Sequence, residues 1–196
     1  MRRIGIQVFG EHELRDRIKA GKGHFSHCIS IRNPGETLAP EIEAAFCEVL
    51  ELEFFDEERA EDLPKHAAER RIPGPGDVDR IIDFVRRAAG DPKLTGFTVH
   101  CWRGISRSTA VALGLIYSIL KDEERATKAL MKIRPQSMPH TGIVRMFDKV
   151  LGSNLEPYRA EIHRYRLERM FIRLGMVEAG SDERECDYID GLELFD

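Results

Sequence analysis

Short runs of β-branched and aromatic residues alternate with segments of helical apolar spacing along the first 150 residues of the chain. The short runs predict strands at residues 2–9, 25–31, 49–55 and 97–101. The apolar spacing predicts helices at residues 11–20, 77–85, 109–120, 123–133 and 142–151. Because strands and helices alternate, we predict an α/β fold with a mostly parallel sheet of four to five strands flanked by helices, and a site beyond the carboxyl ends of the strands.

The 196-residue chain is long enough for one α/β domain with an extension. We predict a body at 1–152, a helical extension at 153–176 that includes a helix from 156 to 174, and an acidic tail at 177–196. The tail carries eight carboxylates and one arginine, so the formal charge of −4 leaves the rest of the chain mildly basic. This charge is too small to indicate a nucleic-acid partner, but it suits an anionic substrate.

Other classes of protein are disfavoured by what the sequence lacks. It contains no run of 18 apolar residues and no signal-peptide pattern, so we expect a cytoplasmic protein with no membrane partner. Its four cysteines are scattered, which favours a reducing compartment. His24, His27 and Cys28 lack a second cluster of metal ligands, so we expect no metal and no cofactor. The sequence assigns no oligomeric state.

The residues from His100 to Ser108, HCWRGISRS, lie between the predicted fourth strand and the following helix. Cys101 is the one cysteine of the four that is followed six residues later by an arginine, Arg107. A turn that leads into a helix N-terminus offers backbone N–H groups and the positive end of the helix dipole to a phosphate. Gly104 allows the chain to curl, and the Arg107 guanidinium matches two phosphoryl oxygens.

These properties predict a catalytic site that binds a phosphate group. The predicted phosphate-binding residues are Trp102, Arg103, Gly104, Ile105, Ser106 and Arg107. The same donors favour a thiolate at Cys101, which would attack phosphorus and form a cysteinyl phosphate.

The pattern His-Cys-x5-Arg-Ser resembles the signature loop of the cysteine-dependent protein tyrosine and dual-specificity phosphatases. The layout of residues 1–152 is similar to small bacterial members of that group. The resemblance implies that His100 orients the loop and that Ser108 hydrogen-bonds the sulfur. It also implies a general acid, an Asp that follows a strand and precedes the helix leading to the signature strand.

Asp56, at the end of the predicted third strand, is the preferred general acid. Asp62 is the second candidate, and Glu57 and Glu58 remain open as well.

The expected function is therefore hydrolysis of phosphomonoesters in phosphotyrosine-type protein substrates, with dual specificity left open. The alternatives are a phosphoinositide, polyphosphate or nucleotide phosphatase that uses the same loop, and a catalytically silent phospho-binding module. The expected partner is a phosphorylated protein or a small phosphomonoester.

Overall fold

A computed structural model of the chain describes residues 4–58, 61 and 71–174. Its four strands are β1 (Gly5–Gly10), β2 (His27–Arg32), β3 (Glu48–Glu53) and β4 (Gly96–Cys101). All strand pairs are parallel, and the order across the sheet is β1-β4-β2-β3. The predicted parallel α/β sheet is thus confirmed, with four strands in the described part of the chain. The two central strands, β4 and β2, are buried at every position, as expected for a sheet covered on both faces.

The helices are α1 (Glu11–Lys19), α2 (Pro40–Ala45), α3 (Pro75–Ala89), α4 (Arg107–Leu120), α5 (Glu123–Ile133), α6 (Thr141–Leu151) and α7 (Arg159–Arg173). A short 3-10 turn, Glu156–Tyr158, precedes α7. The predicted helices are therefore present, and α5 has the predicted bounds. α2 was not predicted, and the helix predicted at 156–174 is divided between the 3-10 turn and α7.

Helices cover the sheet unequally. α1 and α2 close one face around a small cluster of Phe9, Leu14, Cys28, Ile42 and Phe46. α3, α4, α5 and α6 close the other face, where the larger core lies. α4 is buried from Arg107 to Ser118, in agreement with its apolar character all round. This burial fixes the helix that begins immediately after the HCWRGISRS segment.

One helix begins earlier than predicted. The helix predicted from Asp77 has Gly74 as its N-cap and Pro75 as its first helical residue. The buried Asp77 carboxylate accepts the Gly74 N–H at 2.9 Å and pairs with Arg71.

The predicted acidic tail lies outside the described residues. Within the described residues, no helix is long and apolar enough to cross a membrane.

Candidate active site

The turn between β4 and α4, residues 102–106, is the centre of the site, and its shape depends on a glycine. Gly104 has a φ of +66°, a backbone conformation that favours glycine. A Cβ atom at this position would lie 2.4 Å from the backbone nitrogen of Gly10, at the end of β1. Because the neighbouring atom belongs to the backbone, it cannot move aside easily. The curl predicted at Gly104 is therefore required both by the local φ and by the close approach of β1.

The five carbonyl groups of the turn all accept hydrogen bonds, four of them from residues outside the turn and α4. The bonds are Glu11 N to Trp102 O at 3.2 Å, Arg134 Nη2 to Arg103 O at 3.4 Å, Arg134 Nε to Gly104 O at 2.9 Å, Met138 N to Ile105 O at 2.8 Å and Ala110 N to Ser106 O at 3.0 Å. The donors come from α1, from the connection between α5 and α6, and from α4 itself.

The orientation of these carbonyls determines the orientation of the amides. In a planar trans peptide, the C=O of one residue and the N–H of the next point in opposite directions, and the chain has no cis peptide bond among the described residues. Carbonyls of 102–106 that point into the protein therefore turn the N–H groups of 103–107 toward the pocket. A concave row of N–H groups at a helix N-terminus binds anions.

Arg134 is the residue that does most to hold this arrangement. Its side chain is buried, and besides the two loop carbonyls it pairs through Nη1 with the Glu13 carboxylate at 2.8 Å. Glu13 in turn accepts the Gly10 N–H at 3.3 Å. The resemblance to the phosphatases extends to the Arg134-Pro135-Gln136 segment, but the hydrogen bonds from Arg134 to the loop carbonyls were not predicted.

Cys101 lies at the last position of β4, beside Gly10 of β1. Its side chain is almost entirely buried, and Sγ lies 3.2 Å from Ser108 Oγ. Cys101 also lines the pocket in front of the turn. The contact with Ser108 was expected from the resemblance, and the structure brings the two residues together.

Arg107, the first residue of α4, also lines the pocket and is held there by hydrogen bonds. Its Nη1 donates to Asn33 Oδ1 at 3.0 Å and to the Phe54 carbonyl at 2.7 Å. Asn33 and Phe54 follow β2 and β3, so the ends of two strands position this guanidinium. Neither contact was predicted from the sequence.

No direct hydrogen bond within the described residues supports the expected role of His100 in orienting the loop. The ring is buried, and neither ring nitrogen has a hydrogen-bond partner within the described residues. Burial first, and then the charge of nearby Arg32, lowers the pKa of His100 from 6.5 to about 4. His100 is therefore a neutral packing residue near pH 7, and its role in orienting the loop stays a prediction.

Asp56 follows β3 and reaches the same pocket. Its Oδ1 lies 3.8 Å from Arg107 Nε, and about 44% of its side chain is exposed. Glu58 is tied to the first residue of α6, because its carboxylate accepts the Thr141 N–H at 3.1 Å. Hydrogen bonds from Thr141 and, more weakly, the charge of Arg159 hold the pKa of Glu58 below its ordinary value, so Glu58 is a poor proton donor. Asp62 lies outside the described residues.

The pocket has a volume of about 820 Å³ and is lined by both acidic and basic side chains. The acidic residues are Glu36, Asp56, Glu57 and Glu58, and the arginines are Arg103, Arg107, Arg159 and Arg166. Trp102 stands at the rim with half of its side chain exposed, and its ring meets the ring of His12 edge to face at 5.6 Å. All predicted phosphate-binding residues thus surround one opening, with Gly104 buried behind it. No metal-ligand cluster is present within 4–58, 61 and 71–174.

No protein-family model matches the chain, and no curated protein matches it. Solved structures do. DUSP15 is 20% identical over 88% of this chain and 94% of its own, with a TM-score of 0.51. Human DUSP28 is 16% identical over 80% of this chain and 94% of its own, with a TM-score of 0.52. The Yvh1 phosphatase domain from Chaetomium thermophilum is 19% identical over 79% of this chain and 97% of its own, with a TM-score of 0.52. The chain therefore has the fold of the dual-specificity phosphatases, as the signature loop predicted.

Proposed function

We propose that the protein hydrolyses phosphomonoesters through a cysteinyl-phosphate intermediate, with Cys101 as the nucleophile. The observation that carries this proposal is that hydrogen bonds hold all five carbonyls of residues 102–106 away from the pocket. It supports a ring of N–H donors above a buried sulfur, which is the environment that stabilises both a thiolate and a phosphoryl group. The Arg107 guanidinium, held by Asn33 and Phe54, adds a planar pair of donors.

In the first step, the Cys101 thiolate attacks phosphorus, so that an S–P bond forms while the P–O bond to the leaving group breaks. The Asp56 carboxyl group gives its proton to the leaving oxygen. In the second step, water attacks phosphorus and gives a proton to the Asp56 carboxylate. The S–P bond breaks, inorganic phosphate is released, and the Ser108 hydroxyl stabilises the sulfur anion, consistent with their 3.2 Å separation.

We assign the acid role to Asp56 because of where it lies and how it is held. It lines the pocket beside Arg107 while nearly half of its side chain remains accessible to a substrate. Glu58 is less suited, since its hydrogen bonds favour the ionised form. The Glu58 contact with Thr141 also fastens the segment after β3 to the start of α6. This attachment keeps Asp56 at the pocket edge.

The proposed substrates are phosphotyrosine-type residues of proteins. The half-exposed indole of Trp102 at the rim offers an aromatic face on which an aryl ring can pack. The pocket is wide, which also leaves room for phosphoserine and phosphothreonine. Rates with matched phosphotyrosine and phosphoserine peptides measure that preference.

The first test is hydrolysis of p-nitrophenyl phosphate by the wild-type protein, two active-site variants and one control variant. We expect activity that EDTA does not abolish and that vanadate inhibits. Cys101→Ser should lower kcat by at least about 10³-fold, because it removes the nucleophile. Arg107→Lys should also be strongly impaired, since lysine cannot reproduce the planar pair of donors. Cys47→Ser, at an exposed free cysteine, is the control and should behave as wild type. Full activity in Cys101→Ser would refute the proposal.

The second test concerns proton donation. Asp56→Asn should lower kcat by roughly 10²-fold or more for phenyl phosphate, whose leaving group needs a proton, and by less for p-nitrophenyl phosphate. Asp83→Asn, at an exposed position on α3, is the matched control. An equal loss for both leaving groups would assign the acid role to another residue.

A further inference from the structure

The C-terminal helix α7 contributes two arginines to the wall of the catalytic pocket. Arg159 and Arg166 line the same opening as Cys101 and Arg107. The helix is held against the core by Ile162, which is completely buried. Arg159 Nε also donates to the carbonyl of Pro139 at 2.8 Å, so its guanidinium is fixed at the edge of the connection between α5 and α6. Two positive charges are thus placed beside the site by a segment outside the predicted body of the domain.

Neither arginine is engaged in a salt bridge among the residues that the structure describes. The charge of Arg159 acts on Glu58 from beyond salt-bridge distance, and no carboxylate approaches Arg159 or Arg166 as closely as Glu156 approaches exposed Arg145 on α6, at 3.2 Å. Arg166 instead contacts the sulfur of Met138, which is also at the pocket. An arginine that is held in place without an anionic partner is available to bind one.

The other charged side chains around the opening influence where such an anion can lie. The carboxylates of Glu36, Asp56, Glu57 and Glu58 would repel a second negative group close to them. Arg103, exposed at the loop, is a third arginine at the same opening. A second anion of a bound substrate is therefore favoured where it lies next to these arginines.

We propose that Arg159 and Arg166 form a subsite for a second anionic side chain of a phosphopeptide substrate, a carboxylate or phosphate that flanks the residue being dephosphorylated. This proposal rests on the proposed function and narrows it to acidic phosphopeptides. A planar guanidinium binds either group through two parallel hydrogen bonds. The subsite acts on substrate binding, because it lies away from the atoms that react.

The experiment uses phosphotyrosine peptides of equal length, neutral except for one glutamate that is moved from four residues before the phosphotyrosine to four residues after it. For the wild-type protein, we expect one or two adjacent positions to lower KM about fivefold relative to the neutral peptide, the size expected for a half-exposed ion pair. Arg159→Gln and Arg166→Gln should each weaken this preference, and the double variant should lose it. Arg164→Gln, at an exposed position on the same helix, is the matched control and should keep it.

The Kd of the same peptides for variants in a Cys101→Ser background gives a second measurement that needs no turnover. Thermal unfolding checks each variant, and if Arg159→Gln loses the Pro139 contact and unfolds, Arg166→Gln carries the test alone. Absence of any positional preference in the Kd of the Cys101→Ser protein, or a double variant in that background that retains the preference, would overturn the subsite. Absence of p-nitrophenyl phosphate hydrolysis would refute the proposed catalysis instead, so the two failures are distinguishable.

Discussion

Replacing Arg134 with methionine would remove the guanidinium that holds the carbonyls of Arg103 and Gly104 away from the pocket. Methionine fills a similar apolar volume but donates no hydrogen bond. The charge-assisted bond to Gly104 contributes about 1.5 to 3 kcal/mol. The pair with Glu13 adds at most about 1 kcal/mol, because nearly half of the Glu13 side chain is exposed. We therefore expect a loss of about 3 kcal/mol, which corresponds to a fall in Tm of roughly 6 to 12 °C.

The effect on activity should exceed the effect on folding at assay temperature. Once released, the peptide groups after Arg103 and Gly104 can rotate, and loss of one well-placed N–H donor to a phosphoryl oxygen lowers kcat by about 10² to 10³-fold. Vanadate affinity should fall in parallel, since vanadate uses the same donors. Arg134→Lys should lie between wild type and Arg134→Met, because an ammonium group cannot reach both carbonyls and Glu13 in the same plane.

The assay combines kcat/KM for p-nitrophenyl phosphate, vanadate inhibition and thermal unfolding. Arg145→Met, at an exposed arginine of α6 paired with Glu156, is the control and should change stability by less than about 1 kcal/mol. An Arg134→Met protein with a lowered Tm but wild-type vanadate affinity would refute the reasoning. In that case the arginine would stabilise the fold without orienting the amides.

Two further predictions follow from the same region. Gly104→Ala should lower Tm more than Gly152→Ala does, and it should abolish vanadate binding. Both glycines have a φ of +66°, but a Cβ atom at Gly104 would collide with the Gly10 nitrogen, whereas the space around Gly152 is open. Equal losses in Tm for the two variants would contradict this reasoning. Folding lowers the pKa of His100 to about 4, so below about pH 6.5 the unfolded chain binds a proton that the folded protein does not bind. The free energy of unfolding should therefore fall by on the order of 3 kcal/mol between pH 6.5 and pH 4. Urea unfolding should show a smaller fall for His100→Gln, and an equal fall would contradict the buried neutral state.

Local pattern was sufficient for most of the fold. The predicted start of β4 differs from the observed start by one residue, and the predicted bounds of α5 agree with the observed ones. Both could be predicted because β-branched runs and apolar spacing are local properties of the sequence. α2 was missed because six residues give too short a period to recognise, and Ile42 is its one buried residue. The start of α3 was misplaced because Asp77 suits both the N-cap and the third helical position, and the choice depends on the preceding Gly74 and Pro75.

The catalytic motif was predictable for a related reason: Cys101, Gly104 and Arg107 lie within seven consecutive residues. Their supports are distant in the chain. Arg134 bonds to Gly104 across 30 positions, and Arg107 bonds to Asn33 across 74. No periodicity or spacing connects such pairs, and only the folded sheet brings them together. The position of the α7 arginines at the pocket could not be predicted either, because the sequence indicates a helix there but not the surface that this helix covers.

These distant supports bear on what the motif itself can do. The nine residues of HCWRGISRS specify a thiol, a guanidinium and a flexible turn, but a flexible turn can point its carbonyls inward as readily as its amides. The donors that decide the matter belong to α1 and to the segment between α5 and α6, with Glu13 holding Arg134 from 121 positions away. Phosphate affinity is therefore a property of the fold around the loop. A chain that kept the motif and lost Arg134 would keep the reactive groups without the donors that make them act together.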